Sequence, residues 1–157
     1  MKARLYLETT IPSYLTAWPS RDVVMAGHQQ VTREWWERRR RDFTIYISTF
    51  VLDEAGDGDP AAAQRRLEVL RELPLLAATA PTLELAGRLV RDCRLPPRAA
   101  IDAVHIAIAA VHGMDYLLTW NCTHLANAEI IPKVRAVSEN AGYVFPMICT
   151  PEELMGS

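Results

Sequence analysis

At 157 residues, half of them hydrophobic and 23% charged, the chain has the composition of one globular domain rather than of a disordered segment. Its net charge of -2 removes any bulk electrostatic reason to bind nucleic acid, so phosphate contacts must come from a local basic patch or from metal ions. Cys93, Cys122 and Cys149 are too few and too scattered for a disulfide framework or a zinc site.

Short apolar runs alternate with amphipathic stretches along the chain. Arg4–Leu7 reads as a buried first strand that turns at Thr9-Thr10-Ile11-Pro12, and Val23–Asp42 as a long helix anchored by Val31, Trp35 and Trp36. Phe43–Ser48 is rich in β-branched and aromatic residues and suits a second strand. Ser48 or Thr49 can cap the helical turn that carries Glu54, which the Gly56–Pro60 segment ends. Pro60 opens a helix to Leu73, Leu75–Ala78 suits a third strand, and a further helix runs from Pro81 to about Cys93. After Pro96-Pro97, Arg98–His112 forms a helix that is apolar almost all round, broken chiefly by Asp102, His105 and His112; such a helix is normally buried. Tyr116–Thr119 is a strand delivering Asn121, followed by a helix near Lys133–Asn140, a strand Tyr143–Ile148 and a short Pro151–Leu154 helix. This alternation predicts an α/β domain with a mainly parallel sheet, whose ligands bind beyond the carboxyl ends of the strands. Every apolar run is interrupted before membrane-spanning length, and MKARLYLETT lacks a signal-peptide core, so a cytoplasmic setting without membrane contact is the expectation.

Four polar residues stand at the ends of these runs: Glu8 in LYLETT, Glu54 in STFVLDEA, Asp102 in RAAIDAVHIAIAAVHG and Asn121 in YLLTWN. A buried carboxylate is costly unless paired or metal-bound, and hard cations such as Mg2+ and Mn2+ prefer oxygen ligands. Each residue also has a plainer use. Glu8 suits a surface acid or a cap, and Asp102 suits a helix N-terminus, where the macrodipole is worth about 0.3–1 kcal/mol. Asn121 suits a turn after a strand. Glu54 competes with Asp53 for the inward direction, while Thr10 and Thr119 are placed to orient a ligand or simply to end a strand. His105, three residues after Asp102, reads as a packed histidine hydrogen-bonded to that acid, and His124 as part of the loop after Asn121. The run Arg38–Arg41 is either a solvated face paired with Glu34 and Glu37 at i,i+4 or an RNA phosphate strip that uses Arg39 and Arg40.

Taken together, LYLETTIPSYL, ISTFVLDEA, AIDAVHIAIAA and YLLTWNCTHLAN resemble the four acidic segments of the PIN-domain family, in particular its single-domain VapC-like toxin ribonucleases. The resemblance covers nearly the whole chain, residues 1–157. It implies a three-layer PIN-like fold and a Mg2+- or Mn2+-dependent endoribonuclease, with Glu8, Glu54 and Asp102 as metal ligands and Asn121 placing a second ion or the attacking water. It also implies an RNA substrate, a small antitoxin partner and a homodimer. Glu8 and Asn121 depart from the pattern, since Asp is commoner at both positions. A weakened PIN-like module that binds RNA or protein, and a phosphohydrolase acting on other esters, are the alternatives.

Overall fold

A central strand buried over its last three residues organises the chain, and the computed structural model describes the chain over Met1–Ser157. Strand β1 (Ala3–Leu7) contributes Leu5, Tyr6 and Leu7, all without exposed surface. Burial on both faces is the mark of a strand inside a parallel sheet covered by helices on both sides. β1 pairs in parallel with β2 (Phe43–Ser48) on one side and with β4 (Tyr116–Leu118) on the other. β3 (Leu75–Leu76) and β5 (Met147–Cys149) form the edges, giving the all-parallel order β3-β2-β1-β4-β5. The chain builds outward from β1 through β2 to β3, then returns to lay β4 against the other side of β1. The switch point of the sheet therefore lies between β1 and β4, where ligand crevices form in open α/β sheets.

Seven helices flank the sheet. α1 (Thr10–Thr16) packs on α2 (Val23–Arg38) and α4 (Pro60–Leu70), and α3 (Thr49–Ala55) packs on α4. α5 (Ala80–Asp92) packs on α6 (Ala100–Val111) and α7 (Ile131–Asn140). No helix is long and apolar enough to cross a membrane. The starts and stops follow local chemistry. Asp22, Ser48 and Asp59 accept the backbone N–H of Met25, Val51 and Ala62 at the starts of α2, α3 and α4. Gly113, at φ +67°, lets the chain leave α6 in the left-handed region.

Several elements differ from the sequence reading. The turn placed at Thr9–Pro12 is instead the start of α1, with Pro12 in the first helical turn, where its missing N–H costs no hydrogen bond. The strand read at Tyr143–Ile148 begins only at Met147, because Pro146 cannot donate to the ladder. β3 is half the expected length. α2 ends at Arg38, and Arg40–Asp42 continue as a 3-10 turn. That turn takes Arg41 out of helical register with Glu37, and Glu34 accepts from Gln30 instead of pairing with Arg38. Arg39, read as lacking an acidic partner, pairs with Asp42 at 3.2 Å, and Arg40 lies 4.8 Å over the Trp36 ring.

α6 buries Ala103, Ala107, Ala109 and Ala110 together with Ile106 and Ile108. Small side chains let this helix sit close to α5 and β4, which fixes where its first turn points. Replacing Ala107, which has no exposed surface, with Leu forces added volume into a packed layer. Ala107→Leu is expected to lower unfolding stability by about 1–3 kcal/mol in a urea titration, whereas Leu at the exposed Leu83 position of α5 can be exchanged for Ala with little loss.

Candidate metal centre

Glu8 follows β1 directly, and its backbone N–H donates to the Leu118 carbonyl, extending the sheet by one bond at the switch point. Its side chain is 3% exposed. One oxygen, Oε1, takes every hydrogen bond the carboxylate receives: from the Thr10 N–H at 3.2 Å, from the Thr10 hydroxyl, and from the Thr119 hydroxyl at 2.6 Å. Both hydroxyls are committed to this role. Thr10 Oγ1 accepts the Trp120 N–H at 2.8 Å and Thr119 Oγ1 accepts the Asn121 N–H at 2.9 Å, so their own hydrogens turn toward Glu8. Oε2 receives no protein donor. Burial pushes the Glu8 carboxyl up, against the opposing pull of His105 and of the two threonines.

Glu54 reaches the same place from α3, while Asp53 is exposed, which settles which of the two neighbours turns inward. Glu54 Oε1 accepts from the Thr9 hydroxyl at 2.8 Å and lies 2.6 Å from His105 Nε2. Although burial raises it, the hydrogen bond and charge of His105 and the Thr9 hydroxyl bring the Glu54 carboxyl below its ordinary range. Thr9 occupies the capping position of α1 but makes no cap bond, because its hydroxyl serves Glu54.

His105 corrects the sequence reading. Its ring does not bond Asp102; it joins Glu54 to the Tyr6 hydroxyl, which lies 2.7 Å from Nδ1 and 2.7 Å from Ser48 Oγ. Burial, reinforced by the charges of Glu8 and Glu54 and only partly opposed by Ser48, pushes the Tyr6 phenol far up, so it keeps its proton. In every arrangement that satisfies the chain Nε2–H donates to Glu54; the Tyr6 hydroxyl donates to Nδ1 of a neutral ring, or accepts Nδ1–H of a charged ring and donates to Ser48. Tyr6 was not singled out in the sequence, yet the signal was present. A tyrosine in a strand with no exposed face must find its hydroxyl a partner.

Asp102 and Asn121 form a second group. Asp102 lies in the first turn of α6 and is 13% exposed; its Oδ1 accepts from Asn121 Nδ2 at 3.2 Å, and its Oδ2 lies 3.0 Å from His124 Nδ1. Burial raises the Asp102 carboxyl, against the charges of His105 and His124, with Glu54 adding to the rise. Asn121 Oδ1 accepts the backbone N–H groups of Thr123 and His124 at 3.2 and 3.0 Å, so the amide closes the loop and holds Asp102 together. His124, 22 residues beyond Asp102 and read only as loop structure, had no spacing that could reveal this contact.

The ligand atoms of Glu8, Glu54 and His105 lie within 4.8 Å of one another. No lysine or arginine pairs with Glu8, Glu54 or Asp102. The buried Glu8 and the partly buried Glu54 and Asp102 have no lysine or arginine partner, and Glu8 and Glu54 each keep a carboxylate oxygen that no protein group donates to, which fits a divalent cation in chemistry and in spacing. The largest cavity, about 680 Å³ between the end of α1 and α4, is lined by residues such as Thr16 and Arg65 and contains none of the acids. Chemistry rather than volume marks this site.

A five-stranded all-parallel sheet flanked by helices, with acids gathered at its switch point, defines a PIN-like α/β fold. Among solved structures, the chain is similar to one in the crystal structure of VapBC2 from Rickettsia felis bound to a DNA fragment from their promoter. The TM-score is 0.59 over 93% of this chain and 97% of that chain, at 17% identity, a likeness of fold. No family model and no curated protein sequence matches the chain.

The two glutamates respond to pH with opposite signs. Glu8 binds its proton more tightly folded than unfolded, so its cost to stability is absent below the ordinary carboxylate range, grows as pH rises, and is complete above its raised folded value. Glu54 contributes stability above the ordinary range and loses it as pH falls through its lowered folded value. In chelator at neutral pH, Glu8→Gln is expected to raise the melting temperature, by about 2–4 °C for each kcal/mol of relieved desolvation, and the gain should vanish near pH 4. Glu54→Gln should lower it under the same neutral conditions.

Asn121→Asp keeps an acceptor for the Thr123 and His124 N–H groups but replaces the donor facing Asp102 with a like charge. Without metal it should cost about 1–3 kcal/mol. Mn2+ should recover part of that loss, and equal losses with chelator and with Mn2+ would show that Asn121 serves the loop alone.

Proposed function

We propose that this chain is a single PIN-like domain acting as a Mg2+- or Mn2+-dependent endoribonuclease, the toxin of a type II toxin–antitoxin pair. The observation that carries the reading is the Glu8 carboxylate: buried at the switch point, gathered with Glu54 and His105, and paired with no lysine or arginine. Glu8, Glu54 and Asp102 are the proposed metal-holding acids, with Asn121 as the residue that positions Asp102 and the water beside it. When bound, the ion supplies an activated water and stabilises the charge that develops as a phosphodiester is cleaved.

The remaining work falls to the chain. Thr10 and Thr119 hold Glu8 in one rotamer with Oε2 presented. Thr9 and His105 hold Glu54, and His105 is itself fixed through Tyr6. Asn121 and His124 hold Asp102. Each acid therefore enters the site already oriented, which lowers the reorganisation that ligand capture requires. The fold likeness to a VapBC2 chain supports a small antitoxin as partner, and a homodimer belongs to the same reading.

A second reading has an observation of its own. Both Asp102 oxygens and Asn121 Oδ1 are occupied by protein donors, as expected of a module whose metal chemistry has weakened and which binds RNA or protein without cutting.

Cleavage of single-stranded RNA by wild type, Asp102→Asn and Glu8→Gln, with Mn2+ and with chelator, separates the two. The nuclease reading expects cation-dependent cleavage by wild type. Each variant should lose at least the roughly 10- to 100-fold that removal of an outer-shell partner costs a metal site. Mn2+ should also raise the wild-type melting temperature more than that of either variant. Full cleavage by a folded Asp102→Asn protein would remove Asp102 from the site, and RNA binding without cleavage by wild type would favour the inert module.

A further inference from the structure

Three rings lie nearly parallel where α1, α2 and the end of β4 meet: Tyr14, His28 and Trp120. His28 and Trp120 are in face contact, with centroids 4.1 Å apart and planes inclined by 13°. Tyr14 stands 6.1 Å from His28 and 6.0 Å from Trp120, with its ring inclined by 19° and 26°. Being almost equidistant, it lies beside the pair and widens the platform rather than adding a third layer.

The indole is fixed and the other two rings are not spoken for. Trp120 is 6% exposed, and its N–H donates to Thr32 Oγ1 at 2.7 Å, while the Thr32 hydroxyl donates to the His28 carbonyl. By contrast, the Tyr14 hydroxyl and both ring nitrogens of His28 make no hydrogen bond within the chain, and both residues are half-buried. The accessible part of the cluster is thus two flat π-systems with free polar edges, backed by an immobile indole.

This platform adjoins the acids through the chain itself. Trp120 follows Thr119, which donates to Glu8, and the Trp120 N–H is bound by Thr10. Tyr14 lies one helical turn beyond Thr10, on the same face of α1. Single-stranded nucleic acid is held by stacking of splayed bases on such side chains, largely without regard to sequence. Here stacking would also supply what electrostatics does not: the chain has a net charge of -2, and no arginine or lysine pairs with the acids.

We propose that the Tyr14–His28–Trp120 cluster is a nucleobase-binding subsite for a single-stranded RNA whose phosphodiester lies at Glu8, Glu54 and Asp102. It rests on the nuclease reading and extends it from the scissile phosphate to the neighbouring base. A base stacks on the exposed rings, and the Tyr14 hydroxyl and the His28 nitrogens meet its polar edge.

The test uses the full chain in chelator, so that binding is read without cleavage. Fluorescence anisotropy follows a short fluorescein-labelled single-stranded RNA of mixed sequence and an abasic ribose-phosphate analogue of the same length. His28→Ala and Tyr14→Ala are expected to weaken RNA binding by roughly 5- to 100-fold each while leaving the abasic analogue unaffected. His28→Phe and Tyr14→Phe, which keep the π-face and guard against loss of fold, should restore most of it. RNA binding by the alanine variants equal to that of wild type would overturn the subsite and leave the rings to a protein surface. Equal losses for RNA and analogue would overturn it as well. A wild-type protein that neither binds RNA in chelator nor cleaves it with Mn2+ fells the nuclease reading and the subsite with it, whereas cleavage unchanged in the alanine variants fells the subsite alone.

Discussion

The carboxylate of Glu8 is the constraint around which the site is arranged. It sits at the end of the innermost strand, where strand direction alone delivers it into a region with almost no solvent. An ionised group there pays a large desolvation cost, and no arginine or lysine offsets it. What the fold provides instead is two threonine hydroxyls, each forced into the donor role because its oxygen already accepts a backbone N–H. Those N–H groups belong to Trp120 and Asn121, just past β4. The pairing of β1 with β4 therefore does more than complete a sheet. It sets the register that brings Thr119 to Glu8, and a slip of one residue would turn Thr119 to the opposite face.

Glu54 and Asp102 are held by different means, and the difference follows from the elements that carry them. Glu54 lies near the end of a two-turn helix with 38% of its side-chain surface exposed, so its orientation has to be imposed from outside, by Thr9 and His105. His105 can impose it because it lies on the buried face of α6, which packs its imidazole onto Tyr6 of the central strand. The chain Ser48–Tyr6–His105–Glu54 thus ties β2, β1, α6 and α3 together at one point. Buried polar networks of this kind are costly when half satisfied and rigid when complete. Every member here has a partner on each side.

Most of the architecture was legible in the sequence because it rests on local signals. The β-branched run of Phe43–Ser48, the cap at Ser48, Pro60 at the start of α4, the apolar helix after Pro97 and the stop at Gly113 each act within a few residues. What escaped was set by distant contacts. Thr9–Pro12 reads as a turn, yet it opens α1: Thr9 gives its hydroxyl to Glu54 and Thr10 gives its own to Glu8, so tertiary bonds take up their polar groups. The partner of His105 was misread for a related reason. Helical spacing places it beside Asp102, but rotamer and packing turn it toward Glu54. The four polar positions could be picked out from their places at the ends of apolar runs; their division into an inner pair with His105 and an outer pair with His124 could not.

That division gives Glu8 and Asn121, the two residues at which the chain differs from the pattern it resembles, a common physical sense. A fourth acid at position 121 would stand 3.2 Å from an Asp102 oxygen, in a place where Asp102 already feels the charge of Glu54. The amide turns that repulsion into a hydrogen bond while its oxygen still closes the loop to Thr123 and His124. At position 8 the extra methylene of Glu carries the carboxylate far enough from the strand to meet hydroxyls on both flanking segments, Thr10 and Thr119. One change lowers the negative charge of the cluster and the other increases the hydrogen bonding of the charge that stays. Both reduce the cost of holding acids together, and the same economy leaves no free oxygen on Asp102. The oxygens that no protein group donates to lie on the other side, at Glu8 and Glu54, where His105 spends one ring nitrogen on Tyr6 and the other on Glu54.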